Sequence, residues 1–212
     1  HQNAYFIKNK EKNNFLNNCI KSGKGISYNN ILDINSASEC INDFSEPTCV
    51  IVKHNNPCGV ASNKDIIRAY KYALNCDPKS AYGGIIAINK KINQKLAKVI
   101  ASNYFEIIIA NDFDKQALKV FEKLSKIILI KLDKYQKVHK HEIRSTYGGY
   151  LIQDKNNLFF SKKDVSLVSQ KKASINQFDD LIFSFKVAKH AKSNAIVLSK
   201  NKKTIGIGLG QP

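Results

Sequence analysis

The chain contains no methionine and no tryptophan, only four prolines, and only two arginines, Arg68 and Arg144, among its 34 basic residues. Each scarcity narrows the reading. No run of about 18 apolar residues occurs, so no membrane-spanning helix is expected. The opening residues, His1-Gln2-Asn3-Ala4-Tyr5-Phe6, offer neither an initiator methionine nor the apolar core of a signal peptide. A chain with no methionine at all is expected to be a piece of something longer. The five cysteines, Cys19, Cys40, Cys49, Cys58 and Cys76, are odd in number and form no CxxC pair. They fit a reduced, cytoplasmic setting with buried thiols. The near absence of arginine bears on the formal charge of +17. Specific readers of nucleic acid use arginine forks and stacked aromatics, and this chain interleaves no such groups. An excess of lysine, asparagine and isoleucine is the compositional bias of A/T-rich coding, so neither a nucleic-acid nor a membrane partner is expected.

What is present is enough for one sizeable core: 212 residues, 43% of them hydrophobic. Residues 1–25 read as a polar lead-in with one short element. Asp33 and Ser36 are candidate N-caps for a helix over 34–45. The run Cys49-Val50-Ile51-Val52, three of its four members β-branched, predicts a buried strand that stops at Lys53-His54. Asn55, Asn56, Pro57 and Gly59 then read as turn-formers, placing the two side chains at the lip of a sheet. Beyond them the spacing predicts a helix over 63–75, a loop over 77–84 with a glycine pair, a strand over 85–89 and a helix over 91–102. A strand over 105–110, a helix over 114–124 and a strand over 127–132 follow. Residues 133–143 read as exposed, 144–154 as one strand and 155–174 as a loop. A helix from Phe178 to His190 and strands over 195–198 and 204–207 complete the order. Alternating strands and helices predict an α/β sheet with helices on its faces.

Three patterns carry candidate chemistry. Gly206, Gly208 and Gly210 form GxGxG, which lacks both the GxGxxG spacing and the following helix of a dinucleotide loop, and read as a glycine-rich strand end. His54 with Pro57-Cys58 has the outline of a zinc deaminase, but position 61 is Ala61 and no glutamate stands two residues after His54, so no metal is expected. Lys53-His54 is the third. An imidazole accepts a proton at neutral pH, and a neighbouring ammonium favours its basic form. That suits acylation of an amine, which loses a proton while an oxyanion grows on the acyl group. On composition alone, a solvated lysine and a hydrogen-bonded surface histidine remain the simpler account.

Six blocks occur in order: Ser-Tyr-Asn-Asn-Ile-Leu-Asp at 27–33, Val-Ile-Val-Lys-His-Asn-Asn-Pro-Cys-Gly at 50–59, Asp-Pro-Lys-Ser-Ala-Tyr-Gly-Gly-Ile-Ile-Ala at 77–87, Glu-Ile-Ile-Ile-Ala at 106–110, Lys-Ser-Asn-Ala-Ile at 192–196 and Gly-Ile-Gly-Leu-Gly-Gln at 206–211. Together they resemble the bifunctional purine-biosynthesis family of AICAR transformylase/IMP cyclohydrolase, and His1-Gln2 resembles the end of another of its segments. The resemblance implies formyl transfer from 10-formyltetrahydrofolate to the 5-amino group of the nucleotide AICAR, giving FAICAR. It implies that His54 accepts the proton, that Lys53 stabilises the transition state, and that Asn194, Tyr82, Gly83 and Glu106 contact the nucleotide. It also implies a three-layer αβα, cytidine-deaminase-like subdomain without zinc, a homodimer with its site between subunits, and folate as the second partner. By the same resemblance, residues 1–46 are a lead-in segment with a helix and 47–212 the first transformylase subdomain. The cyclohydrolase domain and the second subdomain are expected to lie outside the chain, which should not turn over alone. A non-catalytic nucleotide-binding module and a basic nucleic-acid-binding domain are the alternatives.

Overall fold

The computed structural model describes residues 5, 17–21, 25–132, 140–157 and 162–210. Of the segments read above, His1-Gln2, most of the lead-in, residues 133–139 and 158–161, and Gln211-Pro212 lie outside the described residues. The elements run β1 (Cys19–Lys21), α1 (Tyr28–Asn42), β2 (Thr48–Lys53), β3 (Asn56–Ser62), α2 (Ile66–Cys76), α3 (Pro78–Ala81), β4 (Ile85–Ile92), α4 (Gln94–Ala101), β5 (Ile107–Phe113), α5 (Lys115–Glu122) and β6 (Ile128–Lys131). They continue with β7 (His141–Thr146), β8 (Gly149–Asp154), a 3-10 turn at Lys162–Asp164, α6 (Ile175–Lys189), β9 (Ile196–Ser199) and β10 (Thr204–Gly208).

Six strands form one mixed sheet in the order β1-β6-β5-β4-β2-β3. β4, β5 and β6 are parallel, whereas β2 runs against both β4 and β3, and β1 against β6. The period-2 pattern of the apolar runs decides which side chain goes where. Cys49, Ile51, Ile86, Ile88, Ile108 and Leu129 point to one face and pack with α2, α4 and α5 through Tyr70, Leu96 and Phe121. Val50, Val52, Ile85, Ile107, Ile109 and Ile130 point to the other and meet Ile34 and Ile41 of α1 and Phe183 and Val187 of α6. The sheet therefore has helices on both faces, the α/β layering expected from the element order. Among the described residues no helix is long and apolar enough to cross a membrane.

Several expectations are corrected. The first long helix begins at Tyr28 rather than near 34, because Ser27 is its N-cap: the Ser27 hydroxyl accepts from the Asn30 N–H, and the Asn30 side chain accepts from the Ser27 N–H. This reciprocal capping box leaves Asp33 and Ser36 inside the helix. The segment read as a turn, 55–59, is mostly strand. β3 begins at Asn56 and pairs directly back on β2, with Pro57 tolerated because β3 is the sheet's last strand. The 77–84 loop holds the single turn α3, opened by Asp77 as N-cap with Pro78 in the first turn. Residues 144–154 form part of a hairpin, β7 against β8, turning at Tyr147-Gly148, and both strands are fully exposed. The loop over 155–174 contains the 3-10 turn, and the one described element of the lead-in, β1, is an edge strand beside β6.

Candidate active site

β2 and β3 are joined by two residues only, His54 and Asn55, between the paired ends Lys53 and Asn56. A two-residue reversal matches the twist of its strands as a type I′ or II′ turn, and type I′ takes φ > 0 at both central positions. His54 has φ +53° and Asn55 φ +61°. Histidine and asparagine enter this region more readily than most residues, yet the cost is still roughly 1–2 kcal/mol each. A single fully buried isoleucine of β2 or β4 stabilises the fold by roughly 1.5–3 kcal/mol. The sheet core therefore easily holds the turn in this conformation.

Contacts from three directions define the turn. From α1, Asp33 Oδ1 accepts the Asn55 N–H at 2.6 Å and the Ser36 hydroxyl donates to the Asn55 carbonyl at 3.1 Å. Within the hairpin, Asn56 Nδ2 donates to the His54 carbonyl at 3.0 Å. From the segment after α6, the Lys192 N–H donates to Asn56 Oδ1 at 2.9 Å. Lys53, half-buried, donates from Nζ to the Tyr82 carbonyl at 2.6 Å, while the His54 side chain is exposed.

The pair opens on a cleft of about 560 Å³ lined by Lys53, His54 and Cys58 on the hairpin, Asp77 and Ser80 at α3, and Ile207 of β10 among others. Its volume suits a small-molecule ligand. Asp77 is held below the usual carboxylate range, first by the Ser80 hydroxyl and then by the Ser80 N–H that it caps at 3.0 Å. Burial pushes the Cys58 thiol up to about 12, and the Asp77 charge adds to the effect. Cys58 is thus a neutral thiol rather than a nucleophile at neutral pH. Among the described residues no group of three or more His, Cys, Asp or Glu side chains is placed to hold a metal.

The other sequence-derived candidates collect along the same sheet edge to different degrees. β2 ends where β4 begins, Val52 opposite Ile85, so Lys53-His54 sits at the N-terminal ends of the parallel strands and not at their carboxyl ends. Gly83, with φ +70°, makes the turn into β4, and its N–H is donated to the Tyr104 carbonyl at 2.9 Å. The exposed ring of Tyr82 stacks tilted on Tyr104, centroids 5.2 Å apart. Glu106 lies just before β5. Its N–H bonds the Gly84 carbonyl at 3.0 Å, and its carboxylate accepts from Asn30 Nδ2 at 3.0 Å. Asn194 is exposed in the junction between α6 and β9 and does not line the cleft, but Lys192 links that junction to the turn. The Gly210 N–H donates to the Lys192 carbonyl at 3.0 Å.

Sequence reasoning missed Asp33, Ser36, Asn56, Asp77 and Ser80 as residues of the site. For Asn56 the signal was the preceding pair His54-Asn55, two αL-tolerant residues right after a strand-like run, whereas nothing in local spacing marks Asp33 and Ser36. For Asp77 and Ser80 it was the Asp-Pro-x-Ser spacing of a capped helical turn.

The AICARFT/IMPCHase bienzyme family matches residues 1–212. The chain is 44% identical over its whole length to the bifunctional purine biosynthesis protein PurH of Caldicellulosiruptor saccharolyticus, of which it covers 42%. It is 43% identical to the PurH protein of Buchnera aphidicola subsp. Baizongia pistaciae over 99% of the chain and 41% of that relative, and 38% identical to that of Staphylococcus saprophyticus over 99% of the chain and 43% of the relative. It therefore spans about two-fifths of the length of these relatives. With a match over all 212 residues, this chain belongs to the AICARFT/IMPCHase bienzyme family.

Proposed function

We propose that this chain carries the amine side of an AICAR formyltransferase site in de novo purine biosynthesis, within a protein that also closes the ring to IMP. One observation carries the reading: a lysine anchored by the Tyr82 carbonyl and an exposed histidine share the lip of one cleft. The anchor occupies one of the three N–H bonds of the Lys53 ammonium and leaves two for a ligand.

In the proposed reaction the 5-amino nitrogen of AICAR forms a bond to the formyl carbon of 10-formyltetrahydrofolate. His54 takes the proton that the amine loses, and Lys53 faces the formyl oxygen as negative charge grows there. The bond from that carbon to N10 breaks, and the proton returns to N10. Asn194, Tyr82, Gly83 and Glu106 bind the nucleotide along the sheet edge. Residues 47–212 form the first of two deaminase-like αβα subdomains, without zinc, and residues 1–46 its lead-in and helix. Folate contacts come from elsewhere in the protein, so the chain alone does not turn over. A homodimer completes the site. Five free cysteines support a reducing, cytoplasmic setting.

The test is to mix the full-length protein carrying this chain with AICAR and 10-formyltetrahydrofolate. FAICAR formed only when both are present is the expected result. AICAR binding without turnover in the full-length protein would favour a non-catalytic nucleotide module. Steeply salt-dependent nucleic-acid binding with no preference for AICAR would overturn the reading.

A further inference from the structure

A two-residue turn with φ > 0 at His54 and Asn55 fixes a strained backbone, and the direction of the imidazole depends on that backbone staying put. The ladder pair Lys53–Asn56 alone does not hold it, because a hairpin end frays unless something outside it binds. Asp33 and Asn56 supply most of that hold, with the Ser36 hydroxyl adding a bond to the Asn55 carbonyl. Asp33, one helical turn before Ser36 on α1, offers a charged acceptor at 2.6 Å to the Asn55 N–H. Asn56 uses both ends of its amide, donating to the His54 carbonyl and accepting from the Lys192 N–H. The first fixes the turn against a helix whose buried face is locked into the core. The second fixes the distance from the turn to the Lys192–Asn194 junction.

We propose that Asp33 and Asn56 are positioning residues: Asp33 sets the orientation of His54 from α1, and Asn56 couples that turn to the segment bearing Asn194. The proposal rests on the reading of His54 as proton acceptor and Asn194 as nucleotide contact. Neither Asp33 nor Asn56 is asked to touch a reacting atom. Their effect on rate comes through geometry, where a displacement of about 1 Å costs up to 100-fold.

Two readouts test it. In the 212-residue chain, amide exchange at Asn55 is followed by NMR. In the full-length protein, kcat and KM for AICAR are measured. Asp33→Ala should raise Asn55 exchange and lower kcat by roughly 10- to 100-fold with KM for AICAR little changed. Asp33→Asn, which keeps an oxygen acceptor, should recover most of both. Asn56→Ala should lower kcat and also raise KM for AICAR, because the Asn194 junction is released. If Asp33→Ala does not fold, Ser36→Ala, which removes one bond to the same peptide, should shift both readouts in the same direction by less. Unchanged Asn55 exchange in Asp33→Ala, or in Ser36→Ala if it must stand in, would overturn the proposal, as would failure of Asp33→Asn to recover. If the wild type transfers no formyl group, the proposed function fails, and Asn55 exchange alone still decides whether Asp33 holds the turn.

Discussion

Lys53 Nζ and the carbonyl oxygen of Tyr82 lie 2.6 Å apart, joining the end of β2 to the loop before β4. The bond aims a cation along the sheet edge and keeps it there without neutralising it. Lys53→Ala should therefore lower kcat for formyl transfer by roughly 100- to 1,000-fold, the loss usual for one oxyanion donor. Steady-state kinetics at saturating AICAR provide the check. A loss confined to KM would mean that Lys53 only binds.

Gly59 sits where β3 passes under α2. A Cβ there would lie 1.9 Å from the Ala73 carbonyl oxygen, which belongs to the helix backbone and cannot rotate away. Gly59→Ala should destabilise the fold by roughly 1–3 kcal/mol as α2 is pushed off the sheet. Denaturant unfolding measures the shift.

Asp43 closes the end of α1 and is nearly buried. Its carboxylate meets His190 Nε2 at 2.7 Å and Lys189 Nζ at 3.0 Å, both at the C-terminal end of α6. Burial alone would raise its pKa, but the hydrogen bonds and charges of His190 and Lys189 outweigh burial and hold it below the usual carboxylate range. A carboxylate depressed in the folded state contributes stability above its unfolded pKa of about 3.9, and that contribution is lost as pH falls through the lower folded value. Melting temperature should therefore drop more steeply below about pH 4 in the wild type than in Asp43→Asn. Asp43→Ala at neutral pH should cost roughly 3 kcal/mol, since it removes the nearly buried acceptor that Lys189 and His190 share.

Cys40 and Cys49 are completely buried and their thiols are pushed far up by that burial, while Cys58 reaches about 12. Alkylation of the folded protein near pH 8 should spare these three and go to completion only in denaturant. Rapid modification of Cys58 in the native state would contradict the raised pKa of its thiol.

The sheet was the most legible part of the sequence. Apolar runs such as Val50-Ile51-Val52 and Ile107-Ile108-Ile109 bury both faces of a strand, and that signal is independent of neighbours. Short elements that owe their form to pairing were not legible. β3, Asn56–Ser62, contains Pro57 and Gly59 and looks like a turn until β2 is available to pair with it. The segment 144–154 was read as one strand, and its reversal at Tyr147-Gly148 was missed, because both strands of the β7–β8 hairpin are exposed and no core contact marks where one ends and the other begins. Of the site, Lys53 and His54 were visible because a strand stops at them. Asp33 and Ser36 were visible only as helix-cap candidates. Ser27 captures the cap, and the two residues face the His54-Asn55 turn instead. Such a role depends on contacts some twenty residues apart, which local spacing does not encode.

The central claim is that the imidazole of His54 takes the proton in formyl transfer, and the full-length His54→Ala variant addresses it most directly. Folate-dependent formylation of AICAR should fall by roughly 100- to 10,000-fold in kcat while AICAR still binds. Formyl transfer at the wild-type rate in that variant would contradict the account.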